Sequence, residues 1–111
     1  MKENLFSYGT LQKDKIQLEL FGRLLNGAKD ILKGYKLSSI EIKDESFLAK
    51  GEENIQQTVI PSKDNDIIEG IVFEISEEEL FLADKYEPEN YIRVKIVLRS
   101  GKEAWIYAAK I

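Results

Sequence analysis

Two carboxylates and a glycine carry the chemistry this sequence could do. In and just before "LADKYEPENYIR" (residues 82–93), Leu80, Asp84 and Glu87 fall at intervals of four and three, so a helix continued that far would set both carboxylates on one face. The negative end of the helix dipole and the like charge of Asp84 would each favour the protonated form of Glu87. A carboxyl group shifted toward neutral pH can take up a proton and return it, as acid–base catalysis requires. The same two residues could equally be solvated at an exposed helix end. The glycine is Gly9 in "YGTL" (residues 8–11), directly after a short strand, where it permits backbone angles closed to other residues. The amides that follow could point into one concavity and bind an anion such as a carboxylate, or the glycine could simply serve a turn. The Gly-x-x-x-x-Gly-Lys spacing of a phosphate loop is missing.

Aromatic residues offer a third group. Tyr91 and Arg93 share a face of the last long strand, and Trp105 and Tyr107 share one in its partner. A phenol beside a pocket could orient a ligand or merely cover the sheet, Trp105 is read as sheet cover, and Arg93 is read as half of an ion pair.

These residues need elements to position them. "NLFSY" (residues 4–8) reads as a strand. In "DKIQLELFGRLLNG", Ile16, Leu20 and Leu24 recur every four residues, with Phe21 and Leu25 widening the stripe. This predicts a helix from Asp14, with Asp14 and Gln17 resembling a capping box and Gly22 as a point where the element can break. "GYKLSSIEI" (residues 34–42) predicts a strand, residues 43–54 a loop or irregular hairpin, and "QTVIP" a short strand ended by Pro61. "SKDND" (residues 62–66) carries turn chemistry. "IIEGIVFEI" alternates Ile71, Phe73 and Ile75, with Gly70 marking a bulge or a close backbone approach. "SEEEL" is the clearest helix start, with Ser76 and Glu79 as a capping box; the helix should reach Tyr86, because Pro88 keeps Glu87 out of helical angles. "YIRVKIVLR" aligns Ile92, Val94, Ile96 and Leu98, and Ser100-Gly101 turns the chain into "EAWIYAAKI" as a hairpin. The order of elements predicts one α+β domain over residues 1–111, with a mixed, strongly curled sheet.

Composition narrows the function. A net charge of −4 without a basic stripe argues against nucleic acid as a partner. No apolar run approaches a membrane span and "MKENLFSYG" is unlike a secretory signal, so the expected address is the cytoplasm. Cysteine and histidine are both absent, which removes thiolate and imidazole chemistry. Protons would have to move through carboxylate, Tyr or Lys, and neither a metal nor a cofactor is expected.

The sequence resembles the gamma-glutamylcyclotransferase-like family, including its plant avirulence-induced relatives. The resemblance rests on "YGTL", "IQLELFGR", "LKGY", "IEGIVFEI", "LADKYEPENYIRV" and "AWIYAAK", in that order along nearly the whole chain. It implies a small barrel-like curled sheet with flanking helices and a cavity between the "YGTL" loop and the end of the second long helix. It further implies that Tyr8, Gly9, Thr10 and Leu11 bind the amino-acid end of a gamma-glutamyl group, that Glu87 is catalytic, and that Tyr91 and Tyr107 position the substrate. The implied reaction yields 5-oxoproline and a free amine from a small gamma-glutamyl compound, with no metal or nucleotide. A non-catalytic binding module or interaction protein of the same fold is the alternative.

Overall fold

The computed structural model describes residues 2–63 and 65–110. Strand β1 (Lys2–Ser7) opens the chain, and its alternation sends Leu5 to one side of a sheet and Phe6 to the other. A 3-10 turn (Thr10–Gln12) leads into helix α1 (Asp14–Phe21). The helix stops at Gly22, whose φ of 72° is left-handed and whose amide bonds the Leu18 carbonyl at 3.0 Å. Leu24 of the expected stripe therefore lies beyond the helix and is 52% exposed. The capping box expected from Asp14 and Gln17 does not form, because Gln17 turns inward. Its amide donates to the Leu11 carbonyl and accepts from the Leu25 amide, both at 2.9 Å, pinning the chain on either side of the helix.

Strand β2 (Asn26–Lys33) follows, in a stretch to which sequence patterning assigned no strand. It lies at the outer edge of the sheet, and most of its side chains are exposed, so it lacks the apolar alternation that would announce it. Strands β3 (Tyr35–Glu41) and β4 (Ile55–Pro61) pair antiparallel as a separate two-stranded unit. Between them the segment expected as a loop contains helix α2 (Glu45–Leu48), started by the Asp44 side chain. Position 64 of the expected turn after Pro61 lies outside the described residues.

Strand β5 (Ile67–Ser76) runs into helix α3 (Glu77–Tyr86) through a complete capping box: Ser76 accepts from the Glu79 amide and the Glu79 carboxylate accepts from the Ser76 amide. Glu87, with φ −66° and ψ 149°, has left helical geometry as Pro88 requires. Strands β6 (Tyr91–Val97) and β7 (Glu103–Ala109) form the expected hairpin. Ile96 and Leu98 on β6 and its exit are buried, whereas Ile92 is 42% exposed, so the apolar stripe is covered only in its second half.

The main sheet has the order β2-β5-β1-β7-β6; β1 and β7 run parallel and every other pair is antiparallel. Each face carries its own core. Phe6, Val72 and Ile106 meet Val59 of the β3–β4 pair, while Leu5, Phe73 and Tyr107 meet Ile16, Leu80 and Ala83 of α1 and α3. Burying each large apolar side chain contributes about 1.5–3 kcal/mol. The Thr58 hydroxyl accepts from the Ala109 amide at 2.8 Å and joins the two sheets. The result is the expected α+β class, a curled mixed sheet with flanking helices. No helix among the described residues is long and apolar enough to cross a membrane.

Gly70 marks a close approach and not a bulge. Its register with Asp30 is uninterrupted, and a Cβ there would lie 2.5 Å from the Ser7 carbonyl oxygen and 2.6 Å from the Phe6 ring. Only a glycine lets β5 pass beneath the end of β1.

Candidate functional site

Strand β1 delivers Tyr8 to its end, and the 3-10 turn follows because Gln12 and Lys13 bond back to the carbonyls of Gly9 and Thr10 at 2.9 and 3.1 Å. The Gln12 side chain takes the Ser7 carbonyl at 2.6 Å, so the turn is braced against the strand it leaves. The Gly9 amide donates to the Ser7 hydroxyl at 3.3 Å, whereas the amides of Thr10 and Leu11 have no acceptor among the described residues. Such donors at the start of a helical turn are free to meet an anion. Gly9 itself departs from expectation: its φ of −160° is extended backbone, and a Cβ there would meet nothing within 4 Å. What the glycine leaves is open space beside the amides.

That space belongs to a cleft of about 580 Å³. Tyr8, Gly9, Thr10 and Leu11 form one side, and Glu87, Tyr91 and Tyr107 also line it. The structure thus gathers around one hollow every residue singled out for the site, though they come from β1, the 3-10 turn, the exit of α3, β6 and β7.

Glu87 is half-buried, and its carboxylate has no hydrogen-bond partner among the described residues. Burial pushes its pKa from the ordinary 4.5 to about 8; the Lys50 ammonium acts in the opposite direction, and the charges of Glu52 and Asp84 add to the rise. The leading cause is therefore burial and not the neighbouring carboxylate. Asp84 is occupied elsewhere: its Oδ1 accepts from the Tyr107 hydroxyl at 2.6 Å and forms an ion pair with Arg93, whose Nε lies 2.9 Å away. Arg93 is the expected ion pair, but it reaches from β6 to α3 instead of across the hairpin, and its guanidinium lies 4.2 Å from the centre of the Trp105 ring.

The phenols are tied down. The Tyr8 hydroxyl donates to the Tyr107 carbonyl at 2.7 Å, and the Tyr91 hydroxyl donates to the Gln57 carbonyl at 2.8 Å. Burial raises both: Tyr91 to about 12, and Tyr8 well above the usual phenol range, with the nearby Glu87 adding to each. Tyr107 is raised likewise, by burial and then by its bond to Asp84. All three stay neutral near pH 7 and offer oriented dipoles.

Residues to which sequence patterning gave no role in the site complete the wall. Phe47, Glu52, Gln56 and Gln57 line the cleft from the α2–β4 side, and Thr10 Oγ1 lies 3.4 Å from Gln56 Oε1. No periodic signal in residues 47–57 could have placed them there.

Comparison with known proteins bears on this arrangement. Residues 5–111 match the family model described as gamma-glutamyl cyclotransferase, AIG2-like. The chain belongs to this family. Among solved structures, an Arabidopsis thaliana protein known from its solution structure superposes with a TM-score of 0.74 at 18% identity, over 98% of this chain and 62% of that one. A gamma-glutamyl cyclotransferase superposes with a TM-score of 0.71 at 19% identity, over 99% of this chain and 68% of that one. YkqA from Bacillus subtilis superposes with a TM-score of 0.68 at 26% identity, covering all of this chain and 37% of the longer one. The chain spans 62% and 68% of the length of the first two of these structures and 37% of the third. A comparison with curated proteins returned no significant match.

Proposed function

We propose that this family member is a metal-independent gamma-glutamyl cyclotransferase that converts a small gamma-glutamyl amine or peptide to 5-oxoproline and the free amine. One observation carries the reading: an unpartnered carboxyl group, raised to about 8, lines the same cleft as the unbonded amides of Thr10 and Leu11.

The amides, with Tyr8 and Gly9 beside them, receive the α-carboxylate of the substrate. Glu87 faces the α-amine and removes a proton from it, at a pKa close to the value of about 8 typical of an α-amino group. The amine nitrogen then attacks the γ-carbonyl carbon, forming the ring C–N bond. As the tetrahedral centre collapses, the bond to the leaving nitrogen breaks, protonated Glu87 gives its proton to that nitrogen, and the ring nitrogen passes its surplus proton to the emptied carboxylate, from which the departing amine takes it. Atoms and charge balance without an external reagent. Because nucleophile and electrophile sit in one molecule, the protein's main task is to hold the folded-back conformer. Tyr91 and Tyr107 serve that task, Tyr107 by holding Asp84 and Arg93 in place behind the cleft.

Replacing Glu87 by Gln tests the assignment. Release of 5-oxoproline from a panel of gamma-glutamyl dipeptides and alkylamines should fall by about 10²–10⁴-fold while the far-ultraviolet spectrum is unchanged. Equal turnover by both proteins would remove Glu87 from the mechanism. A wild-type protein that binds these compounds without releasing 5-oxoproline would instead be a binding module.

A further inference from the structure

The short α2 segment grips the chain on both sides of Glu87. Asp44 starts α2 through its Oδ1, which accepts from the Ser46 and Phe47 amides at 3.0 and 3.4 Å, while its Oδ2 accepts from the Glu89 amide at 3.0 Å. At the other end, Lys50 Nζ donates to the Tyr86 carbonyl at 3.1 Å and lies 4.9 Å from the centre of the Tyr86 ring. The Tyr86 hydroxyl donates to Glu52, and the buried Phe47 ring meets the Tyr86 ring edge-on at 5.8 Å. Residues 86 and 89 are held from outside their own elements, and Glu87 sits between the grips.

We infer that residues 44–52 form a positioning clamp for Glu87, in which Asp44, Lys50 and Glu52 fix the backbone that aims its carboxyl group into the cleft and bring an ammonium and a carboxylate to its side. This deepens the proposed cyclotransferase reading and rests on it for the catalytic consequence, though the clamp itself is a statement about Glu87 alone. The groups facing Glu87 are Lys50 and Glu52 from the clamp, Asp84 and Tyr86 from α3, and the neutral phenols of Tyr8, Tyr91 and Tyr107 from β1, β6 and β7. Arg93 is spent on Asp84. Lys50 is therefore the cation that favours ionised Glu87, and Glu52 is the anion of the clamp that opposes it. A brace with no electrostatic role would show one kind of failure whichever residue was removed. This clamp instead predicts opposite signs.

The test titrates Glu87 in the full chain by carbon-13 NMR of labelled glutamate side chains, with Glu87→Gln identifying the resonance. Lys50→Met should raise the Glu87 midpoint above that of wild type, Glu52→Gln should lower it, and Lys50→Arg should restore it. The acidic limb of the kcat/KM profile for 5-oxoproline release should move the same way. Asp44→Ala, which frees the Glu89 amide, should lower kcat by about tenfold or more with little change in KM, as expected when a reacting group is misaimed. Midpoints that stay fixed in both charge variants, or that move in the same direction, would overturn the clamp. If the wild type turned over no gamma-glutamyl compound while the midpoints moved oppositely, the clamp would stand and the cyclotransferase reading would fall.

Discussion

The properties of Glu87 come from the company it lacks. Most buried carboxylates are paired, and here the Arg93 guanidinium pairs with Asp84 while Lys50 offsets only part of the desolvation of Glu87. The consequence for stability has a definite sign. A carboxyl group whose pKa is raised on folding binds more protons in the native state, so stability is lost as pH rises from 4.5 through about 8. Glu87→Gln should therefore stabilise the protein at pH 8, by about 1–2 kcal/mol once partial solvent screening of the half-buried carboxyl is allowed for, and have almost no effect at pH 4. Urea unfolding of both proteins at the two pH values checks this, and a pH-independent difference would contradict it.

At the scale of elements, the site depends on junctions. The capping box at Ser76 and Glu79 fixes where α3 begins, and Pro88 fixes where it ends, so Glu87 is placed by the length of one helix. The other wall depends on β1 and β5 touching. Gly70→Ala would drive a methyl group into the Ser7 carbonyl and the Phe6 ring, and Ser7 immediately precedes the Tyr8 loop. The expected cost is about 2–3 kcal/mol in chemical denaturation, together with weaker binding of gamma-glutamyl compounds, because the strain is relieved by shifting the strand that carries the loop. A variant as stable as wild type would show that β1 moves freely, and the cleft with it.

Across the whole molecule, a single sheet separates two cores and passes load between them. Leu5 and Phe6 are adjacent in sequence but belong to opposite faces, both essentially inaccessible to solvent. Leu5→Ala and Phe6→Ala should each destabilise by about 2–5 kcal/mol. In both variants, loss of helical signal and change in Trp105 fluorescence should coincide, since neither face can stay packed without the sheet. Separate transitions would indicate that the helices leave the sheet before the sheet itself unfolds.

Much of this was legible in local pattern. The capping box of α3, the β6–β7 hairpin, the break at Gly22 and the exit at Glu87 each follow from residues interacting within a few positions of one another, or from a backbone restriction that a single residue type imposes. The ordered motifs also pointed to the cyclotransferase family that the comparison then showed. Other features needed the tertiary structure, because their causes are distant in the chain. Edge strand β2 has no apolar face of its own and exists because β5 offers it a partner. Gln17 abandons its cap because Leu11 and Leu25 converge on it. Lys50 and Glu52 reach Tyr86 only after β3 and β4 have folded the intervening segment against α3. The sequence carried the carboxyl group and the glycine; the packing of remote elements decided that one would lose its solvent and that the other would open onto the same cleft.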